Sequence, residues 1–460
     1  MRRRKRTLTP SVNGNLHLEF DGKNLTSHAG LELFHRYLRS TRFNKMVWAA
    51  FKGPGLGGDF GFVTMIRLLV ALLWVGGRRV AHLSWLSHDP MVRRVVGLDE
   101  LPHKRTVSRW LGRFREHHMI GFRRLNLALI GARLRTMKLE KVTVDLDGTI
   151  VSTGLQVERA ARGFNPHHRK VPSYYPLLGH IAETGQFFFC KNRSGNVHDS
   201  NGADRWVREM VRDLRDELGA ATGIEYRMDG AFFRRDVIEM LERKNCHFAV
   251  KVPLWRWLGL LPKIQMRTRW KRVTDDVDGF ETMLEIPQWN MTLRVACYRK
   301  RVFHETGKNF QLDLFNEKDG TYEYSAVATN SDRDIRRLWL FMAGRGAQEK
   351  SIADLKDGMS FASVPSKQYG ANSAWQWLSI TAHNLYRDFQ IESGMASFRG
   401  ENEKTTYFHS VQSIKTARFE WLNVAGCLLR LAKGRTLRVA TSPGIQKRFR
   451  QGLEGLSSAA

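Results

Sequence analysis

Along roughly the first 135 residues, apolar side chains recur at intervals of three and four, and this pattern predicts helices, interrupted at GPGLGGDFG, residues 53–61. Near residue 140 the period shortens to two. In KVTVDLDGTIV, residues 141–151, Val142, Val144 and Leu146 fall on one side of a strand and Thr143, Asp145 and Asp147 on the other. YPLLGHIAET and GQFFFCKNRSG read as two further strands joined at a Thr-Gly turn. SNGADRWVREMVRDLRDELGA reads as a helix with Ser200 or Asn201 as its N-cap. GIEYRMDGAF is then a strand, RRDVIEMLERKN a helix and HFAVKV a strand.

Antiparallel strands leading into alternating helices and strands give the order of a ribonuclease H-like α/β core. Residues 253–330 differ: they read as a β-rich insertion carrying basic residues and Trp255, Trp257, Trp270 and Trp289, with TYEYSAVATN as the returning strand. Helices resume at SDRDIRRLWLFMAGRGAQEKSIADLKDGM, where Ser331 and Asp334 have capping-box spacing, and the remainder reads as helical, then basic. In the N-terminal region, LPHKRTVSRWLGRFREHH puts Val107, Trp110, Leu111 and Phe114 on one face, with Lys104, Arg105, Arg109 and Arg113 near or opposite it. That pattern fits a DNA-recognition helix and a basic amphipathic helix packed on a neighbour equally well.

A chain of 460 residues, 42% of them apolar, is long enough for two or three domains and a large core, which excludes gross disorder. Charge changes the picture more. Lys and Arg number 74 against 45 Asp and Glu, a net +29, and such an excess favours steered encounter with a polyanion. Nucleic acid is the predicted partner, ahead of an anionic membrane or the ribosome. Basic runs at MRRRKR, RRVAHLSWL, HKRTVSRWLGRFR and LLRLAKGRTLRV together predict an extended phosphate-binding surface. Cys190, Cys246, Cys297 and Cys427 form no C-x-x-C pair, which argues against a zinc ribbon and a secreted disulfide framework. His167, His168, His180 and His198 lack thiolate companions or an H-x3-H helix, so zinc is not expected. The apolar run from Phe62 contains Arg67 and is short for a membrane span, and no apolar segment follows MRRRKR as in a signal peptide. The expected location is the cytoplasm, in association with the nucleoid.

Three acidic residues stand where chemistry is expected. Asp147 ends the first core strand and Asp229 ends IEYRMD, and these strands are neighbours in a ribonuclease H-like sheet. Glu349 lies in GRGAQEKSIADLKDG, where helical spacing places Arg345, Glu349 and Lys356 roughly on one face. Carboxylates from two strands and a helix suit Mg²⁺ or Mn²⁺, as two ions, with Arg345 and Lys356 clamping a phosphate. Each has a plainer explanation: strand-end aspartates form turns, and helical Glu–Arg–Lys runs form surface ion pairs.

KVTVDLDGTIV also fits the haloacid-dehalogenase-type phosphatases, with Asp145 as nucleophile and Asp147 as acid/base. That family needs a later acidic pair after an apolar strand; Asp275 and Asp276 follow RTRWKR instead. The fuller resemblance is to DDE-type insertion-sequence transposases of the thirteen-eighty group, whose glutamate signature is Y-x2-R-x3-E-x6-K. MAGRGAQEKSIADLK supplies Arg345, Glu349 and Lys356 at those spacings, while Met342 stands at the tyrosine position. RGFNPHHRKVPSYYPLLGHIAETG, SGNVHDSNGA, YRMDGAF, YGANSAWQWLSITAHNLYRDF and TVSRWLGRF resemble other stretches of that family, so the resemblance spans about residues 40–450.

The resemblance implies cut-and-paste transposition at terminal inverted repeats on double-stranded DNA, by a homodimer on DNA. Asp147, Asp229 and Glu349 would be the catalytic metal ligands. Asp145, Asn196 and His198 would support the site, Arg105, Arg109, Arg113, Arg345 and Lys356 would contact DNA, and the four tryptophans would offer a shelf for a flipped base. The corresponding organisation is a helical DNA-binding or dimerisation region at 1–135, a core at 136–252 and 331–395, the insertion at 253–330 and a basic helical region at 396–460. The alternatives are a DNA-binding protein with an inactive core, and a phosphatase.

Overall fold

The computed structural model describes residues 17–20, 22–52, 55–154, 156–163, 170–301, 317–318, 322–398, 409–431 and 434–458. MRRRKR, His167 and His168 lie outside the described residues. A ten-stranded mixed sheet forms the centre. Its strands are β1 (Lys141–Gly148), β2 (Leu177–Ile181), β3 (Gln186–Lys191), β4 (Gly223–Met228), β5 (His247–Lys251), β6 (Lys271–Thr274), β7 (Val277–Ile286), β8 (Met291–Arg301), β9 (Glu317–Lys318) and β10 (Tyr322–Thr329). Across the sheet the order is β3-β2-β1-β4-β5-β10-β8-β7-β6, with β9 beside β10. Only β1, β4 and β5 run parallel to one another; the other pairings are antiparallel.

Helices Ala203–Leu218 and Arg235–Arg243 link β3 to β4 and β4 to β5, as the hydrophobic period predicts. The first starts differently. Gly202, at φ +70°, takes the cap position and no side chain caps the helix. Ser200 lies two residues before the cap position, and its hydroxyl pairs with His198 Nδ1 at 2.9 Å. The strands between residues 271 and 329 continue the same sheet: β10 lies against β5, with Val327 opposite Lys251. In the middle of the sheet they are buried on both faces: Val295 and Cys297 enter one core cluster, while Ala296 and Tyr298 pack with Leu338 and Trp339 on the other side.

The Tyr369–Glu392 helix is buried along almost its whole length, between the sheet and the N-terminal helices. It carries polar side chains inward because they have work at the sheet edge. Asn384 accepts from the backbone N–H of Phe187 at 2.9 Å and donates to its carbonyl at 2.7 Å, closing the open side of β3 as a neighbouring strand would. The apolar run at Phe62–Val75 is a buried helix whose Arg67 donates to Asn44 Oδ1 at 2.9 Å and to the Val95 carbonyl. Among the described residues no helix is long and apolar enough to cross a membrane.

The C-terminal region is not helical throughout. Gly426–Leu431 and Gly434–Val439 pair as an antiparallel hairpin, and helix Pro443–Ser458 follows. Residues 396–460 read as helical in the sequence, but Gly434, at φ +107°, favours a reversal of the chain there.

Candidate active site

The parallel pairing of β1 with β4 sets Thr143 opposite Glu225 and Asp145 opposite Arg227. The two strands stop pairing at Leu146 and Met228, and the next residue on each is Asp147 and Asp229. Because side chains alternate, these residues share one face of the sheet as three successive rungs. Val142, Val144, Leu146, Ile224, Tyr226 and Met228 take the other face and enter the core.

Each rung is closed by an arginine. Arg333 donates both terminal nitrogens to Glu225 at 2.9 Å, and Thr143 Oγ1 lies 3.1 Å from the same carboxylate. Arg227 grips Asp145 through Nε at 2.7 Å and Nη2 at 2.9 Å, with all of this pair at 0% exposure. Arg345 lies across the open rung, its Nη2 3.1 Å from Asp147 Oδ2 and 3.7 Å from Asp229 Oδ2. Asp229 also serves as a turn-former, its Oδ1 accepting from Ala231 N–H at 2.9 Å. Burial raises the Asp145 carboxyl, but Arg227 and His180 outweigh it and hold it below the usual carboxylate range.

Gly148 is required by what lies against it. A Cβ there would sit 2.1 Å from Asp199 Oδ1 and 2.7 Å from the Tyr175 ring. Arg193 holds Asp199 at 3.0 Å and the Tyr175 hydroxyl donates to it at 2.5 Å, so neither neighbour can swing away cheaply. Tyr175 is pushed above the ordinary phenol range by burial, with Asp199, Asp147 and Asp229 adding to it. Arg227, Tyr175 and Asp199 were not singled out by the sequence. The signal available was the alternation that puts Arg227 on the same face as Asp229.

The arginine, glutamate and lysine of the signature do not share one regular helix. Helix Ile335–Ala343 ends before Gly344, Gly346–Ala353 starts anew with Arg345 at its N-cap, and a π-helical turn at Asp354–Gly358 carries Lys356. Asp334 caps the first of these through Arg336 and Arg337 N–H; Ser331 instead bonds Thr329. Lys356 Nζ donates to Thr149 Oγ1 at 3.1 Å, two residues beyond Asp147, and burial lowers its pKa. Met342 is buried among Tyr298, Leu338 and Trp339.

Beside Asp229 opens a cavity of about 780 Å³, lined by His198, Lys251, Phe233, Arg234 and Trp255 among others. Asn196 is exposed and its backbone packs against Gly163. Trp255 stacks on Trp257 at 5.7 Å between centroids, Trp257 meets Trp289 at 6.1 Å, and Phe233 lies against both Trp255 and Trp289. Trp270 is elsewhere, packed on Phe280 and under Arg299. A second groove, about 1250 Å³, is lined by Arg78, Arg79, Lys104, Arg105 and Arg109 together with Ser152 and Thr153 just past β1. Arg113 does not line it and donates to the Gly57 carbonyl at 3.0 Å.

The buried position of Asp145 excludes its service as a phosphatase nucleophile, since no substrate phosphorus can reach a carboxylate enclosed by Arg227 and His180. Two carboxylates that share one cation offer the negative charge and hard oxygen donors that suit Mg²⁺ or Mn²⁺. Among the described residues no three His, Cys, Asp or Glu side chains are gathered as a metal-binding group.

An α/β protein with a large mixed sheet and an acidic pair at adjoining parallel strand ends is the class these observations define. The Transposase DDE domain group 1 family matches residues 8–460, and the chain belongs to that family: it is a DDE transposase. The chain is also similar to the piggyBac transposase in a cryo-EM structure of its synaptic complex with hairpin DNA. That match has 11% identity and a TM-score of 0.44 and covers 94% of this chain and 85% of that one. No curated protein matches the chain.

Proposed function

We propose that this transposase performs cut-and-paste transposition of an insertion sequence of the thirteen-eighty group, on a ribonuclease H-like core. The observation that carries the reading is the Arg345 guanidinium lying across Asp147 and Asp229, an acidic pair already built to hold a cation. The strand order β3-β2-β1-β4-β5, with only β1, β4 and β5 parallel, supports the core assignment. Asp147 and Asp229 would hold Mg²⁺ or Mn²⁺, with Glu349, four residues after Arg345, completing the set as the family resemblance implies. When bound, the ion supplies Lewis-acid stabilisation of charge building on the phosphoryl oxygens.

The chain's own residues position the substrate. Arg345 contributes a fork matched to a phosphate and Lys356 a point charge held beside Thr149. The groove with Arg105 and Arg109 runs to Ser152 and Thr153, a few residues past Asp147 in the chain, which supports its contact with the backbone of bound duplex. Trp255, which lines the Asp229 cavity and leads the Trp255–Trp257–Trp289 cluster, supports a role as a shelf for an unstacked base; Trp270 is not part of the cluster. The protein acts as a homodimer on paired repeat ends, at the nucleoid.

The test is cleavage of a donor DNA carrying the inverted repeats that flank the gene, with purified protein and Mg²⁺ or Mn²⁺. Wild type is expected to cut at the repeat ends. Glu349→Gln is expected to bind the ends without cutting them. Binding without cutting by folded wild-type protein would replace this reading with that of a DNA-binding protein whose core is inactive.

A further inference from the structure

We infer that Asp145 and Arg227 are a positioning pair that sets the three chain segments of the acidic site relative to one another; this rests on the reading of Asp147, Asp229 and Glu349 as the metal-holding set. Asp145 lies two residues before Asp147 on β1, and Arg227 two before Asp229 on β4. Their fork-to-fork contact therefore fixes the offset of the strand ends one rung behind the site.

The same pair reaches the helical segment. Arg227 Nη1 donates to the Phe341 carbonyl at 2.7 Å, in the helix that leads to Arg345. From the other side, Gln348 Nε2 donates to the Asp145 carbonyl at 3.3 Å, and Gln348, wholly buried, is the residue before Glu349. The ion pair thus joins β1 to β4 and, through Arg227, holds the helix before Gly344–Arg345–Gly346, while the Asp145 main chain takes Gln348 after that break. His180 on β2 closes the remaining side at 3.3 Å from Asp145 Oδ2.

A buried ion pair is weak evidence of stabilisation, because desolvation offsets most of the attraction, and an apolar pair of similar volume often serves stability as well or better. What an apolar pair cannot do is bond to the Phe341 carbonyl. Stability and catalysis should therefore separate. A displacement of about 1 Å at reacting groups costs on the order of a hundredfold in rate.

The experiment compares full-length wild type, Arg227→Met, Arg227→Lys and the double variant Asp145→Leu/Arg227→Met. Thermal melts, repeat-end DNA affinity, Mn²⁺ affinity by calorimetry and single-turnover cleavage are measured on each. Arg227→Met should melt lowest, since it leaves Asp145 buried without its cation. The double variant should recover the melting temperature and bind DNA within about threefold of wild type, yet lose at least about tenfold in Mn²⁺ affinity and about a hundredfold in cleavage. A double variant that folds and matches wild type in Mn²⁺ affinity and cleavage overturns the proposal. Should the double variant fail to fold, Arg227→Lys decides: it keeps the charge and loses the fork, so wild-type Mn²⁺ affinity in it overturns the proposal and a tenfold loss supports it. Wild type that binds Mn²⁺ without cleaving DNA removes the functional reading alone, and the Mn²⁺ comparison still decides the role of the pair.

Discussion

At the scale of single residues, two positions test the packing behind the acidic site. Gly148→Ala brings a methyl group against Asp199 and Tyr175, both held by other contacts. It should destabilise the fold by on the order of 1–3 kcal/mol, read in denaturant melts, and lower cleavage further than the stability loss accounts for, because Asp147 is its neighbour. Glu183 is the second. It is buried, accepts from Thr143 N–H at 2.9 Å, and burial raises its pKa from 4.5 to about 7. In acid both folded and unfolded chains carry the proton. Above the unfolded value the unfolded chain releases it first, so this group's contribution falls as pH rises from about 4.5 to about 7. That loss is on the order of 3 kcal/mol. Glu183→Gln keeps the acceptor and should flatten the decline of melting temperature across that window.

At the scale of elements, the edge of the sheet depends on one amide. Asn384 bonds both backbone groups of Phe187 and also donates to Asn126 Oδ1 at 2.8 Å, tying β3 to the Tyr369–Glu392 helix and to helix Met119–Met137. Asn384→Ala leaves these groups buried without partners and should cost on the order of 2–4 kcal/mol in chemical denaturation. A measured loss below about 1 kcal/mol would mean that water or a neighbour takes over the edge. The alternation of β1 was legible in the sequence, and so were β4 as a strand and the helices between the strands. The broken helix around Arg345 was not. Spacing rules assume one continuous helix, whereas Gly344 and Gly346 flank a break and a π turn shifts Lys356 toward Thr149.

At the scale of the whole molecule, the net charge of +29 becomes a placed surface. Arg105 and Arg109, read from sequence with Arg113 on a basic helix, line one groove with Arg78 and Arg79, while Arg113 turns to a backbone carbonyl. Removing one cation that neutralises a phosphate lowers the salt dependence of duplex binding by about 0.9 in log–log slope, because one fewer counterion is released. Arg105→Ala/Arg109→Ala should therefore reduce the slope by about 1.8 in a fluorescence titration between low and physiological salt. Arg113→Ala should leave it nearly unchanged. Equal effects of the two variants would show that charge acts there without regard to the groove.

The sequence alone determined the periodicities, and with them β1, β4, the linking helices and the face shared by Asp145 and Asp147, because local period depends only on neighbours along the chain. It also determined the excess of positive charge. Only the tertiary structure decided which carboxylates meet which cations. Asp145 lies buried against Arg227, Asp147 and Asp229 share Arg345, and three of the four tryptophans gather in one cluster while Trp270 packs elsewhere. Those outcomes depend on strand register and on where helices break, and both are set by contacts between residues far apart in the chain.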